Sequence, residues 1–222
     1  MSTEAIPARF GSGQAVQRIE DEGLLRGQGR YTDDFTLPAQ THLVFLRSPY
    51  AHARIVSIDL ADARAMPGVV GVWSGADLAA AGVKPLPGAD AGWKRADGSP
   101  AISPPRHPMA VDKVHYVGEA VCMIIAETHQ AALDASEAVL IDYEPLPVVV
   151  SLDDALAADA PRLVEGAPDN VCAEMHHGKA DECDAAFAKA AHVVALDLMN
   201  QRVAPASLEP RSMLAYPTST AA

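Results

Sequence analysis

The sequence predicts an α+β domain followed by a second unit with too few elements to close a core. Short runs of β-forming residues alternate with alanine-rich helical segments through the first two thirds of the chain. At 222 residues and 49% hydrophobic content, the chain is long enough to bury a core. Aromatic residues make up only 5%, so we expect that core to be packed by small and aliphatic side chains.

The first part of the chain predicts the order strand, strand, helix, strand, helix. A proline turn, S48-P-Y-A-H52, separates the first two strands. Asp59 is the predicted cap of the first helix, and Ser74 caps the second, which ends at Gly82. The predicted elements are strands 41–47 and 53–59, helix 59–65, strand 69–73 and helix 76–81.

A long irregular loop, rich in proline and glycine, is predicted for residues 84–108. The continuous apolar run 121–126 predicts a buried strand. Thr128 then caps a helix over 129–139, and residues 140–147 form a further strand. One face of that helix carries four apolar residues at helical spacing, namely Ala131, Ala132, Ala135 and Val139.

The second unit is predicted to hold one helix and two strands. Residues 151–162 form a connector with a short helical turn. Asp181 caps a helix over 184–191, and strands 192–203 and 211–216 form a hairpin. Such a set cannot close a core by itself, so we expect Val193–Val203 to expose an apolar face and unpaired edges.

The composition excludes several classes of function. A net charge of −12 argues against nucleic acid as a partner. The first ten residues lack the apolar region of a secretory signal, and the run 121–126 is too short to cross a membrane. Three cysteines, an odd number, suit a reducing compartment, so we expect a cytoplasmic protein.

Two patterns suggest ligand sites but are incomplete. The glycine pairs Gly11/Gly13 and Gly27/Gly29 lack the third glycine and the preceding strand of a dinucleotide site. A zinc site is a second possibility, because four candidate ligands fall within twelve residues. These are Cys172, His176, His177 and Cys183. Two adjacent histidines between lone cysteines do not match the usual zinc spacing, so surface histidines and unligated thiols are the simpler interpretation.

No catalytic constellation can be named from the residues. The carboxylates Glu119, Asp142 and Glu144 lie at predicted loop or strand ends, where solvated carboxylates are ordinary. Ser48 and Ser74 lack the glycine-flanked elbow of a nucleophilic serine. We therefore predict no catalytic, cofactor-binding or metal-binding residue in this chain.

Six blocks, in order, carry a resemblance to a known family. R18-I-E-D leads into L25-R-G-Q-G-R-Y-T-D-D34, which is similar to the family's entry pattern. The chain resembles the N-terminal portion of the molybdenum-binding subunit of the xanthine dehydrogenase/aldehyde oxidase family, especially bacterial relatives of the carbon monoxide dehydrogenase large chain. The other blocks are F45-L-R-S-P-Y-A-H-A-R-I55, G71-V-W-S-G-A-D-L78, V114-H-Y-V-G-E-A-V-C-M-I-I-A126, D142-Y-E-P-L-P147 and R202-V-A-P-A-S-L-E-P-R211.

The resemblance implies how the chain is organised. Residues 1–19 would be an N-terminal extension and 20–147 an a/b hammerhead domain. A linker over 148–164 would lead to the incomplete start of a molybdopterin-binding domain at 165–222. The family's catalytic motifs lie further along than this sequence runs, so the resemblance transfers no catalytic residue.

The resemblance also implies a chemistry and partners. The complete enzyme would hydroxylate a carbon centre with oxygen from water, using molybdenum held by molybdopterin, in the cytosine dinucleotide form. Iron–sulfur clusters and FAD would reside on partner subunits, and this chain alone would bind none of these groups. Its partners would be the rest of the molybdenum subunit, the iron–sulfur subunit and the FAD subunit. Two alternatives remain: a non-catalytic docking module derived from that subunit, and an independent small enzyme or zinc protein.

Overall fold

The computed structural model describes residues 18–88, 92–164, 166–201, 203–207 and 209–216. The chain divides into two compact units. The larger spans Ala39–Leu196, and the smaller combines Met1–Pro38 with Asp197–Ala222.

Two three-stranded antiparallel sheets form the larger unit. The first has the order β1-β5-β3, with β5 in the centre, and the second has the order β4-β2-β6, with β2 in the centre. The mixture of sheets and helices confirms the predicted α+β class. The strands are β1 (His42–Arg47), β2 (Ala53–Asp59), β3 (Val69–Ser74), β4 (Lys113–Val114), β5 (Ala120–Ala126) and β6 (Leu140–Pro145).

Six short α-helices accompany the strands in the described part of the chain. The caps at Ser74 and Thr128 are confirmed, because each hydroxyl oxygen accepts a backbone N–H three residues on. Asp59 lies one residue before the N-cap position, Leu60, yet its carboxylate still accepts the N–H of Ala61 at 2.9 Å. The helices are α1 (Asp21–Leu25), α2 (Ala61–Ala65), α3 (Gly75–Ala80), α4 (His129–Glu137), α5 (Leu152–Leu156) and α6 (Ala180–Phe187).

The core lies between the first sheet and helix α4. Ile124 of β5 and Val72 of β3 are buried against Ala132 and Ala135 of α4 in one cluster. Alanine on the helix lets the backbones approach closely, which explains how a core with few aromatic side chains packs. At Gly75 a Cβ atom would overlap the carbonyl oxygen of Ala110, so only glycine fits where α3 starts.

The proline-rich segment is irregular, as predicted, but it is anchored. In the described residues 84–88 and 92–108 only isolated bridges occur, joining Leu86 to Arg106 and Lys94 to both Pro100 and Glu174. Arg95 donates to both carboxylate oxygens of Asp169, at 2.7 and 2.8 Å. The loop therefore holds the segment that follows the connector.

The connector itself is fastened by one asparagine. The Asn170 side chain accepts the Leu163 N–H at 2.9 Å and donates to the carbonyl oxygens of Ala155 and Pro161 at 3.1 and 3.0 Å. Its backbone has φ +58°, a left-handed conformation that asparagine tolerates better than most residues. One side chain thereby fixes the end of α5 and the turn that follows it.

The predicted second unit differs from what the structure forms. Helix α6 begins at Ala180 with Lys179 at the N-cap, so Asp181 lies in its first turn and is not the cap. No strand forms in the described residues 192–201, 203 and 211–216, so the predicted hairpin is wrong. Extended chain with no partner strand cannot complete a ladder of hydrogen bonds.

The expected exposure of the apolar segment is confirmed. Val194, Leu198 and Met199 have exposed fractions of 91%, 83% and 88%.

In the smaller unit, the Thr32 N–H donates to the Glu209 carboxylate at 3.2 Å, so the first and last of the six sequence blocks meet. Among the described residues, no helix combines the length and apolarity needed to cross a membrane.

Candidate functional site

Three of the six blocks meet where the strands of the larger unit turn. We call this place the motif junction and define it as residues 47–52, 115–119 and 143–147. Its backbone is cross-linked: the Ser48 N–H donates to the Glu119 carbonyl at 2.8 Å, and the Gly118 N–H donates to the Ser48 carbonyl at 2.8 Å. Arg47 also donates to the Gly118 carbonyl at 2.8 Å. Gly118 has φ +89°, which explains the glycine of the V-G-E block.

Ser48 has a structural role in the junction. Its side chain is buried, and its hydroxyl accepts the Tyr50 N–H and lies 3.0 Å from the Tyr50 carbonyl oxygen, to which it donates. This local pairing stabilises the proline turn. With both partners on the adjacent backbone, the hydroxyl is not positioned as a nucleophile.

His52 is the most enclosed ionisable side chain of the junction, with 8% exposure. Its Nδ1 lies 2.7 Å from the Pro147 carbonyl oxygen, which can only accept, so Nδ1 carries the proton. Nε2 is buried and finds no partner among the described residues. The His115 ring stacks on the His52 ring, with 6.1 Å between the ring centroids. The backbone N–H of His115 donates to the Glu119 carboxylate.

Tyr143 of β6 completes the junction. Its ring lies 5.0 Å from that of Tyr50, and its hydroxyl is buried without a hydrogen-bond partner in the described chain. Burial, the largest cause, raises the pKa of Tyr143. The junction thus fixes strand ends, with polar atoms directed mainly at backbone groups.

The carboxylates singled out in the sequence are not brought together as a catalytic pair. The Glu119 carboxylate accepts a hydrogen bond from the His115 backbone N–H inside the junction. Asp142 and Glu144 lie on the exposed face of β6, and Glu144 accepts from the Arg54 side chain of β2 at 3.1 Å. Such exposed cross-strand pairs contribute little to stability.

Ser74 belongs to a cap, and this cap affects its neighbours' ionisation. The Ser74 N–H donates to the Asp77 carboxylate at 2.8 Å, and the Asp77 N–H returns a bond to the Ser74 hydroxyl. The hydrogen bond from the Ser74 backbone N–H is the largest cause of the lowered pKa of Asp77. The Ser74 hydroxyl and the Arg64 charge lower it further. Beside them, burial raises the pKa of Cys122 to about 11.

The four proposed zinc ligands do not converge. His176 lies 3.4 Å from a Glu174 carboxylate oxygen, and His177 lies 2.8 Å from the Met175 sulfur. Cys172 is half-buried, while Cys183 is exposed on α6. Across the described ranges, no three histidine, cysteine or acidic side chains gather as a metal site would require.

The one glycine pair within the described residues, Gly27 and Gly29, does not form a phosphate-binding loop. Gly11 and Gly13 lie outside the described residues. Gly27 and Gly29 follow helix α1, whereas a dinucleotide loop follows a strand. A Cβ atom at Gly29 would meet only the terminal Cδ2 atom of the Leu24 side chain, which can move aside, so packing does not require a glycine there.

Sequence reasoning missed His52, Tyr143 and Asn170. The first two stand inside quoted blocks, S48-P-Y-A-H52 and D142-Y-E-P-L-P147, so the blocks themselves were the available signal. Asn170 carried no local signal, because its three partners lie 7 to 15 residues earlier in the chain.

The fold implied by the sequence raises the question of a molybdopterin site. Of the described residues from 166 onward, only Ala167 is buried. Enclosing a group of that size requires packed walls on several sides. The described residues therefore do not fit a molybdopterin on their own.

Comparison with known families now confirms the resemblance read from the motifs. Residues 26–147 match the model of the aldehyde oxidase and xanthine dehydrogenase a/b hammerhead domain. Residues 163–222 match the model of the molybdopterin cofactor-binding domain. The order agrees with the predicted fold class, a hammerhead domain followed by the start of a molybdopterin-binding domain.

Individual relatives agree with these matches. The nicotine 6-hydroxylase large subunit of Paenarthrobacter nicotinovorans is 39% identical and is matched over 91% of this chain and 24% of its own. The carbon monoxide dehydrogenase large chain of Afipia carboxidovorans is 37% identical, over 94% of this chain and 26% of its own. The chain thus spans about a quarter of the length of these curated relatives.

Solved structures give the same result. Carbon monoxide dehydrogenase from Oligotropha carboxidovorans superposes with a TM-score of 0.64 at 35% identity, over 80% of this chain and 22% of that one. Quinoline 2-oxidoreductase from Pseudomonas putida 86 gives 0.56 at 39% identity, over 65% and 18%. With the two family matches in sequence, these likenesses show that the chain belongs to the aldehyde oxidase and xanthine dehydrogenase family.

Proposed function

We propose that the chain is the N-terminal part of the molybdenum-binding subunit of a molybdenum hydroxylase and works only together with the rest of that subunit. Such an enzyme is an oxidoreductase that hydroxylates a carbon centre with oxygen derived from water. The observation that carries the proposal is the ordered pair of matches, to the hammerhead domain and then to the cofactor-binding domain.

The exposed apolar segment supports the dependence on a larger assembly. Val193–Val203 presents several large aliphatic side chains to solvent, and an exposed apolar strip of this kind marks an interaction surface. The rest of the cofactor-binding domain is the partner we propose for it, because the segment lies within residues 163–222.

The domain boundaries and the wider complex belong to the same proposal. We place an N-terminal extension at 1–19, the hammerhead domain at 20–147, a linker at 148–164 and the start of the molybdopterin-binding domain at 165–222. In the assembled enzyme, molybdopterin in its cytosine dinucleotide form would hold molybdenum. Iron–sulfur and FAD subunits would accept the electrons, and the complex would be cytoplasmic.

A second candidate function is a docking module without catalysis. The observation that favours it is that the larger unit has its own core and a cross-linked motif junction. In this alternative the hammerhead domain is retained for binding to another protein, and no molybdenum accompanies it.

The deciding experiment is purification of the tagged chain from its own host. Molybdenum per chain, native mass and the co-purifying polypeptides are measured together. A matched control carries the same tag on a chain ending at residue 162, which keeps the hammerhead domain and lacks the segment matched to the cofactor domain.

The two functions give different results. We expect molybdenum in a larger complex with the full chain and its loss with the control. A metal-free complex that both chains form equally would support the docking module. A metal-free chain with no partner would contradict both proposals.

A further inference from the structure

The first sheet has two edge strands, β1 and β3, and outward backbone groups of β3 are already bonded by side chains. The Arg64 side chain of α2 donates to the Val72 carbonyl oxygen from both Nε and Nη2, at 3.0 and 2.8 Å. Two residues along, the Ser74 N–H donates to the Asp77 carboxylate of α3 at 2.8 Å. An added strand would need these same carbonyl and N–H groups, so the two side chains block the β3 edge.

The β1 edge, in contrast, is open. Successive residues of an antiparallel strand direct their hydrogen bonds alternately to the two sides. The Ser48 N–H donates to the Glu119 carbonyl oxygen next to β5, so the residue two positions earlier, Leu46, faces β5 as well. By the same alternation, Leu43 and Phe45 face away from β5. Their backbone N–H and C=O groups have no hydrogen-bond partner in the described chain.

The side chains of the open edge are apolar and carry no negative charge. Val44 packs against the core. Because side chains alternate between the two faces of a strand, Leu43 and Phe45 lie on the opposite face, where they are 46% and 40% exposed. The strand H42-L-V-F-L-R47 contains no acidic residue, although the chain has a net charge of −12. Another copy of this strand would therefore meet an apolar surface without charge repulsion.

Helix α4 adds an apolar residue on the other face of the open edge. Its first residue, His129, lies beside His42, which begins β1, with 6.3 Å between the ring centroids. Leu133 lies one helical turn after His129 on the same flank of the helix, and it is exposed. A strand placed against β1 would thus find apolar side chains on both faces of the sheet.

We propose that β1 pairs in antiparallel fashion with β1 of a second copy of this chain, so that two three-stranded sheets become one continuous sheet. Val44 lies opposite Val44 on the two-fold axis. Leu43 of each copy then exchanges two backbone hydrogen bonds with Phe45 of the other, as directly opposed residues of an antiparallel pair do. In this register Arg47 faces Thr41, and no like charges are opposed.

A second copy fits this edge better than an unlimited series of strands. Because each copy has one open and one blocked edge in this sheet, pairing closes at two copies and does not grow into a filament. The two-fold axis also brings Leu133 of one copy toward Leu133 of the other, which covers both. The proposal does not depend on the enzyme proposed above, because it needs only the first sheet and α4.

The test is sedimentation velocity of the full chain over a concentration series. We expect a monomer–dimer equilibrium with a micromolar Kd, since one strand pair and a few apolar contacts form a small interface. Phe45→Pro removes an N–H that faces away from β5, a position where an edge strand tolerates proline. Each copy loses one donor, so the dimer Kd should rise at least about fivefold.

A matched pair of charge variants distinguishes the two edges. Phe45→Lys places a charge on the open edge, and Val70→Lys places the same charge at an exposed position of β3, on the blocked edge. We expect Phe45→Lys to give a monomer at concentrations where the wild type is a dimer, because an edge lysine opposes strand pairing. Val70→Lys should leave the dimer unchanged. Thermal unfolding of both variants separates lost pairing from lost folding.

A disulfide reports the register. When Leu43→Cys and Phe45→Cys are combined, position 43 of one copy lies opposite position 45 of the other, within the distance that a disulfide spans. Mild oxidation should give a covalent dimer whose cross-linked peptide joins these two positions by mass spectrometry. Neither single variant should form this link, and peptide mapping separates it from any link through the exposed Cys183.

Removal of the block on β3 should change the size of the assembly. Arg64→Ala frees the Val72 carbonyl oxygen and gives each copy a second open edge. We expect species larger than dimers, because a sheet with two open edges has no closed end point. Adding Phe45→Lys to Arg64→Ala should close the first edge again and limit the assembly to dimers or smaller.

The proposal fails under any of three results. A dimer that survives both Phe45 variants would mean that the copies associate elsewhere, such as through Val193–Val203. Equal weakening by Val70→Lys would mean that the β1 edge is not special. A monomer at every concentration, without the 43–45 cross-link, would refute the second copy and leave the edge to a strand of another polypeptide.

Discussion

Replacing Asn170 by alanine should loosen the connector while leaving the sheets intact. The change removes three hydrogen bonds, to Leu163, Ala155 and Pro161. Each contributes roughly 0.5–1.5 kcal/mol when partly buried. Alanine also tolerates φ +58° less well than asparagine, at a cost of about 1 kcal/mol. Together these terms give a local destabilisation of about 2.5–5.5 kcal/mol.

Native-state hydrogen exchange at the Leu163 amide measures this directly, because that N–H donates to the Asn170 side chain. A loss of about 2.5–5.5 kcal/mol corresponds to exchange faster by at least about 70-fold. Amides in the centre of β5 should exchange as before, since the core cluster does not include the connector.

Two further variants separate the loss of the side-chain hydrogen bonds from the cost of the left-handed backbone conformation. Asn170→Gly loses the hydrogen bonds but not the backbone preference, so it should be milder than Asn170→Ala by about 1 kcal/mol. Asn200→Ala, at an exposed position, is the matched control and should change nothing. If Leu163 exchanged equally in the alanine variant and the wild type, the assigned role of Asn170 would be refuted.

Four other predictions concern a helix cap, ionisation and burial. Ser74→Ala should destabilise the fold by about 1 kcal/mol in chemical denaturation. Because the pKa of Asp77 is lowered in the folded state, its ionised form stabilises the fold above the unfolded pKa of about 4, and that stability is lost as pH falls further. The unfolding curves of wild type and Asp77→Asn should thus converge in acid, and a constant gap would contradict this. Iodoacetamide at pH 8 should label exposed Cys183 and spare Cys122, whose pKa of about 11 leaves little thiolate, until denaturant is added; mass spectrometry of peptides checks this. Tyr143→Phe should leave the melting temperature unchanged or higher, because it removes a buried hydroxyl without a partner, and a clear drop in calorimetry would argue for a bond that the structure lacks.

Local signals predicted the larger unit well. The caps at Ser74 and Thr128 and the buried strand over 121–126 were readable because each depends on residues within a few positions. The two-residue strand β4 was missed because it has no pattern of its own and exists only through pairing with β2. The predicted strand over 192–203 failed for the related reason that a strand forms only against a partner.

The candidate site was predictable only as a set of blocks. The sequence supplied S48-P-Y-A-H52, H115-Y-V-G-E119 and D142-Y-E-P-L-P147 in order, but not their meeting point. Contacts between residues separated by tens of positions depend on the sheet register, which local propensity does not specify.

The sequence by itself determined the family, the α+β class, the helix caps and the acidic character, since these depend on motif order, local hydrogen bonding and composition. Only the tertiary structure decided that three of the motif blocks meet in one backbone junction and that Asn170 fastens the connector. Both features arise when chain segments distant in sequence are packed together, and their free energies come from contacts that exist only in the folded state.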